Sequence, residues 1–97
     1  MKILIAEDDS MIQTLSGKLM NHWGFDFDMA SNGLEAVEKA QMHEGEYDLC
    51  LMDIDMPIMN GFEATKIIRR KLKYFPIMAV TGNLQAKQKY LEIARES

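Results

Sequence analysis

Residues 48–57 read Asp48-Leu49-Cys50-Leu51-Met52-Asp53-Ile54-Asp55-Met56-Pro57. After Asp48 the run is apolar without a break, then turns acidic, and a proline closes it. A short apolar run with no polar face reads as a strand buried on both sides, the central strand of a parallel sheet. Pro57 has no amide hydrogen and cannot sit inside a helix or a central strand, so Asp53 to Met59 is a loop.

Working outward, the same grammar repeats. Ile3 to Ala6 is a second buried run, and Glu7-Asp8-Asp9 follows it at once. Ser10 opens a helix, with Gln13 three residues on as a capping box and Asp9 as a charge beside its first turn. Ile12, Leu15 and Leu19 recur at helical spacing, Trp23 anchors the helix end and Gly24 stops it. Phe25 to Ala30 alternates Phe25, Phe27 and Met29 against Asp26 and Asp28, the pattern of a strand at a sheet edge. Asn32 and Glu35 cap a second helix running to about Glu44. Asn60 and Glu63 cap a third, with Ala64, Ile67, Ile68 and Leu72 on one stripe. Ile77 to Val80 is the last strand, Thr81 to Asn83 a loop, and Leu84 onward a fourth helix. Strict βαβαβαβα alternation predicts an α/β fold, a doubly wound parallel sheet with helices on both faces and right-handed crossovers.

The 97 residues make one domain, spanning 1–97, with a net charge of −4. That charge opposes a general nucleic-acid surface, and Arg69-Arg70-Lys71 reads as cations at a helix C-terminus. No run is long enough to cross a bilayer, and the first apolar run is too short for a secretion signal. The expected compartment is the cytoplasm. Cys50, the single cysteine, reads as a small hydrophobe inside an apolar run. His22 and His43 lack metal-ligand spacing and read as solvent-facing.

Ligands of open parallel sheets bind at the carboxyl ends of the strands. Three strand ends carry chemistry here: Glu7-Asp8, Asp53 and Thr81-Gly82. Carboxylates brought that close repel, and one must keep a proton unless a cation intervenes. An all-oxygen, hydrated site suits Mg²⁺. Asp53 is then a candidate phosphoryl acceptor, since carboxylates form aspartyl phosphates. Thr81 is a hydroxyl donor to the transferred group, and Gly82 leaves room for it.

Three segments, Ile3 to Asp9, Leu51 to Gly61 and Ala79 to Gly82, resemble those of the response-regulator receiver domain, in order and at family spacing. The resemblance implies a flavodoxin-like sheet of strand order 2-1-3-4. It implies Asp53 as the phosphorylated residue, Asp8 as a direct metal ligand, and Glu7 acting mostly through water. Asp55 would complete the metal site with its backbone carbonyl, and Thr81 would be the switch hydroxyl. The side chains of Asp55 and Asn83 would tune hydrolysis. The donor would be a histidine kinase or histidine phosphotransfer protein. The domain would be a signalling switch rather than an enzyme, without direct nucleic-acid or membrane binding.

The resemblance also implies a fifth strand and helix, which carry the family's lysine and aromatic switch residue and which this sequence does not contain. Lys87 and Lys89 do not match that lysine. A shortened chain is expected to leave the fourth strand as an open edge that could support a homodimer, to uncover part of the first helix, and to have a crippled switch. Met1 directly before the first strand suggests a natural start. Two other readings compete. Asp53-Ile54-Asp55 resembles the Asp-x-Asp of haloacid-dehalogenase phosphatases, but Pro57 stands where that motif has threonine. A receiver-like module that takes no phosphoryl group is the other.

Overall fold

The computed structural model describes residues 1–80. Thr81, Gly82, Asn83 and the fourth helix expected from Leu84 lie outside the described residues. Within them the order is β1 (Lys2–Ala6), α1 (Ser10–Trp23), β2 (Asp26–Ala30), α2 (Gly33–Met42), β3 (Leu49–Asp53), α3 (Gly61–Lys71) and β4 (Ile77–Val80). All pairings are parallel and the sheet runs β2-β1-β3-β4. This is the expected fold, with β1 and β3 at the centre and the alternating β2 on the outside.

Side chains of a strand alternate between faces, and the two faces bury different cores. Leu4, Ala6, Cys50 and Met52 pack with Ala36, Val37 and Ala40 of α2 and Ala64 and Ile68 of α3. Ile3 and Ile5 pack on the other face with Met20 of α1. Cys50 is fully buried, and burial pushes its thiol up to about 12, so it is the small hydrophobe expected. On α1, Ile12, Leu15 and Leu19 are about half exposed among the described residues.

Several local expectations are corrected. The N-cap of α1 is Asp9, not Ser10: Asp9 has an extended backbone, and its Oδ1 accepts from Met11 N–H at 2.8 Å and Ile12 N–H at 3.2 Å. A carboxylate one residue earlier reaches two free amides, so the box of Ser10 and Gln13 does not form. At α2 and α3 the caps are as expected, Asn32 accepting from Glu35 N–H and Asn60 from Glu63 N–H. Strand β3 runs one residue further, taking in Asp53, because Asp53 still pairs with Val80. Trp23 is no anchor; it is 56% exposed and only tilts against Phe25. His43 is half-buried, with Nδ1 3.0 Å from Glu46 and its ring edge-on to Tyr47.

The polar face of β2 is not simply solvated either. Asp28 accepts a 2.5 Å hydrogen bond from the buried Tyr47 hydroxyl and lies 3.5 Å from Lys2 Nζ. The Tyr47 hydroxyl, outweighing burial, and then Lys2 hold Asp28 below the usual carboxylate range. Burial and Asp28 push the Tyr47 hydroxyl well above its own. A group whose folded pKa is depressed adds stability above its unfolded pKa and loses it as pH falls through the folded value. Tyr47→Phe is therefore expected to cost about 1.5–3 kcal/mol at pH 7, the worth of a hydrogen bond to a charged group. The difference from wild type in urea unfolding should shrink once pH falls below about 4.

Candidate functional site

The site begins with register. The last β1–β3 pair is Ala6 with Met52, so Glu7 and Asp53 are the next residues on adjacent strands. Glu7 and Asp8 leave β1 together, and one carboxylate oxygen from each of Glu7, Asp8 and Asp53 lies within 4.8 Å of the others. Glu7 is buried, Asp53 half-buried and Asp8 exposed. Among the described residues the ion pairs are Lys2–Asp28, His43–Glu46 and Lys66–Glu63, none of which reaches the cluster.

With no cation beside them among the described residues, the two less exposed acids are shifted. Burial raises Glu7 above the usual carboxylate range, against the Asp9 amide that lowers it, and the charge of Asp53 adds to the rise. Burial likewise raises Asp53, opposed by hydrogen bonds from the Asp55 and Ile54 amides and from Glu7. Two carboxylates a few ångströms apart share a proton or gather a cation. Three oxygen donors of graded exposure, open to water on the Asp8 side, fit a hard divalent ion that retains water ligands, the chemistry of Mg²⁺.

The loop after Asp53 is held at both ends by glycine. Gly61 opens α3 and its amide donates to Ile54 O at 2.9 Å; a Cβ on Gly61 would stand 2.2 Å from Asp53 O. Gly33 opens α2 and donates to Met59 O at 2.8 Å; a Cβ there would stand 2.3 Å from that oxygen. Such approaches admit only a residue without a side chain. Met56 is buried and Met59 half-buried, both packed against the core. Between the two clamps, Ile58 has φ 69°, and Met59 N–H donates to Pro57 O at 2.7 Å. That is a γ-turn with a β-branched residue in the left-handed region, and Ile58 is 78% exposed.

Of the residues singled out from sequence, the structure brings together Glu7, Asp8 and Asp53. Asp55 lies exposed in the following loop, its amide directed at Asp53. Thr81 lies outside the described residues. Sequence reasoning missed Gln13, whose side chain reaches the Glu7 carbonyl. It also missed the close approach of Gly33. A glycine directly after a helix-capping asparagine was the only signal for the second.

Comparisons with known proteins agree with this geometry. A family model for the response regulator receiver domain matches residues 3–95. Sensor protein EvgS of Escherichia coli strain K12 is 37% identical over 89 residues, which is 92% of this chain and 7% of that protein. The chain thus spans a small part of that relative. The receiver domain of sensor histidine kinase PA1611 from Pseudomonas aeruginosa PAO1, solved with a magnesium ion in its active-site cleft, superposes with a TM-score of 0.82. It is 31% identical, over 95% of this chain and 77% of that one. A co-crystal structure of the Saccharomyces cerevisiae phosphotransfer protein Ypd1 with the receiver domain of Ssk1 gives 0.79 at 25% identity, over 96% of this chain and 74% of that one.

Two stability predictions come from this geometry. A carboxyl with a raised folded pKa disfavours folding as pH climbs from its unfolded to its folded value. Asp53→Asn is therefore expected to stabilise the metal-free chain at pH 7, by about 1–4 kcal/mol, the range for one close like-charge pair between water-like and surface-like screening. The gain should fade as urea titrations are repeated toward pH 4. Separately, Ile58→Gly should raise the urea midpoint, by about 1 kcal/mol in unfolding free energy, because the positive-φ backbone strain is relieved.

Proposed function

The chain belongs to the response regulator receiver family, and from that membership we propose that it accepts a phosphoryl group on Asp53 and acts as a two-component signalling switch. The observation that carries the reading is the meeting of the Glu7, Asp8 and Asp53 carboxylates at the carboxyl ends of two central strands. Mg²⁺ bound by Asp8, Asp53, the Asp55 carbonyl and, through water, Glu7 would neutralise the acids and the incoming phosphoryl charge.

The chain's own residues do the rest. The Asp53 carboxylate is aimed by the Ile54 and Asp55 amides. One of its oxygens forms the new P–O bond as the donor's P–N bond breaks, and the electron pair returns to the donor imidazole. In such transfers the protein supplies positioning and charge stabilisation rather than further covalent chemistry. Val80 pairs with Asp53, so Thr81 is the next residue in the chain beyond the acceptor's neighbour. Its hydroxyl is the group proposed to meet a phosphoryl oxygen and to report phosphorylation to the surface.

The proposed donor is a phosphohistidine on a histidine kinase or phosphotransfer protein. It is supported by similarity to a receiver domain of a histidine kinase and to one solved with a phosphotransfer protein. A cytoplasmic setting belongs to the same reading; the unpaired Cys50 thiol suits a reducing compartment. Among the described residues no helix is long and apolar enough to cross a membrane.

The test is intact-mass spectrometry after incubation with acetyl phosphate and Mg²⁺. One added phosphoryl group is expected on wild type and on Asp55→Ala, the latter with an altered lifetime, and none on Asp53→Asn. No adduct on wild type would overturn the reading. An adduct lost in Asp55→Ala would point to a phosphatase-type acid at that position.

A further inference from the structure

Gln13 lies in the first turns of α1, and both hydrogens of its side-chain amide are engaged outside its own helix. The nitrogen donates to the main-chain oxygen of Glu7 at 2.5 Å and to Ser31 Oγ at 3.2 Å. Ser31 stands immediately after β2, and its amide in turn donates to Glu35 Oε1 at 3.4 Å. One amide group therefore bridges the segments leaving β1 and β2. Thr14, its neighbour, shows the ordinary alternative: its hydroxyl donates back to Ser10 O within the same helix.

We propose that Gln13 is a positioning residue for the acidic site, fixing the peptide plane between Glu7 and Asp8 so that both carboxylates stay turned toward Asp53. The proposal rests on the metal-dependent phosphoacceptor reading above. Glu7 is held by its amide, which donates to Ala30 O at 2.9 Å, and by Oε2, which accepts from Asp9 N–H at 3.0 Å. The first bond leaves the next peptide free to turn, and the second, though it spans that peptide, hangs on a flexible side chain. The carbonyl of Glu7 belongs to that planar unit, and its orientation sets the direction in which Asp8 leaves the strand. Asp8 is exposed and repelled by its two neighbours, so an unheld peptide would relax by swinging it toward water. Gln13 opposes that relaxation with a bond to the one atom shared by the geometry of both acids. The Ser31 arm keeps the amide from rotating away.

The test compares Gln13→Met, which keeps length and loses both donors, with Thr14→Val, which removes a hydroxyl bonded within the helix. Wild type and both variants are titrated with Mg²⁺ alone by calorimetry, and unfolded with urea in its absence. Loss of a residue orienting a metal ligand costs affinity by about tenfold or more. Gln13→Met is expected to lose that much while its urea midpoint stays close to that of Thr14→Val. Mg²⁺ affinity in Gln13→Met within about twofold of wild type, well short of that loss, would overturn the proposal. If wild type itself binds no Mg²⁺, the metal-dependent reading fails, and the positioning role is then decided by amide NMR spectra of the metal-free chain. Shifted Asp8 and Asp53 resonances in Gln13→Met are expected; changes confined to α1 and Ser31 would refute it.

Discussion

The parallel pairing of β1 with β3 is the constraint on which the rest of the molecule depends. Ile3, Leu4, Ile5 and Ala6 are each at most 3% exposed, with one face against α1 and the other against α2 and α3. Burying a large aliphatic side chain is worth about 1.5–3 kcal/mol, and a one-residue slip would move every such side chain to the wrong face. The register is thus fixed by the core. Because it ends at Ala6 and Met52, it delivers Glu7 and Asp53 to the same level at the sheet's edge. The site costs the fold no separate specification; it is where two buried strands run out of apolar residues.

What the strands cannot fix is the loop that follows, and there the helices take over. α2 and α3 both begin with glycine pressed against loop carbonyls, Gly33 on Met59 and Gly61 on Asp53. These contacts hold the segment from Ile54 to Asn60 between two helix starts, tightly enough for Ile58 to keep a left-handed backbone. Helix N-termini also carry partial positive charge. With α3 starting against Asp53 and α1 three residues after Glu7, part of the repulsion among the acids is met by the fold itself.

The parts of this arrangement legible in the sequence are those written in periodicity and in short-range chemistry. The apolar runs at Ile3 and Leu49, the alternation around Phe27, and the asparagine caps at Asn32 and Asn60 named the elements and their layers. Glu7, Asp8 and Asp53 were legible because strand ends in a parallel sheet converge. The failures share a cause. Asp9 and Ser10 are both good caps, and only the backbone angles decide between them. Freeing Gln13 from a capping box made it available to Glu7 and Ser31, a contact between residues distant in sequence for which periodicity has no symbol. Asp28 looked like a solvent-facing residue because nothing local shows that Tyr47, nineteen residues on, is buried against it.

The crowded carboxylates are not equivalent, and the asymmetry suits their proposed roles. Asp53 receives hydrogen bonds from the Ile54 and Asp55 amides, while Glu7 receives one, from Asp9, and is the more deeply buried. A carboxylate that accepts more amide hydrogens keeps its charge more readily, and one in a drier place gives it up. The surroundings of Asp53 therefore favour its charged form more than those of Glu7 do. The charge is thus favoured on the residue proposed as the nucleophile over one proposed to approach a cation through water. The arrangement also gives weight to the orientation of Glu7, since a rotated Glu7 would no longer face the shared site. A neutral amide on its carbonyl bears on the peptide that leads on to Asp8 without adding a charge to a pocket that already gathers three carboxyl groups.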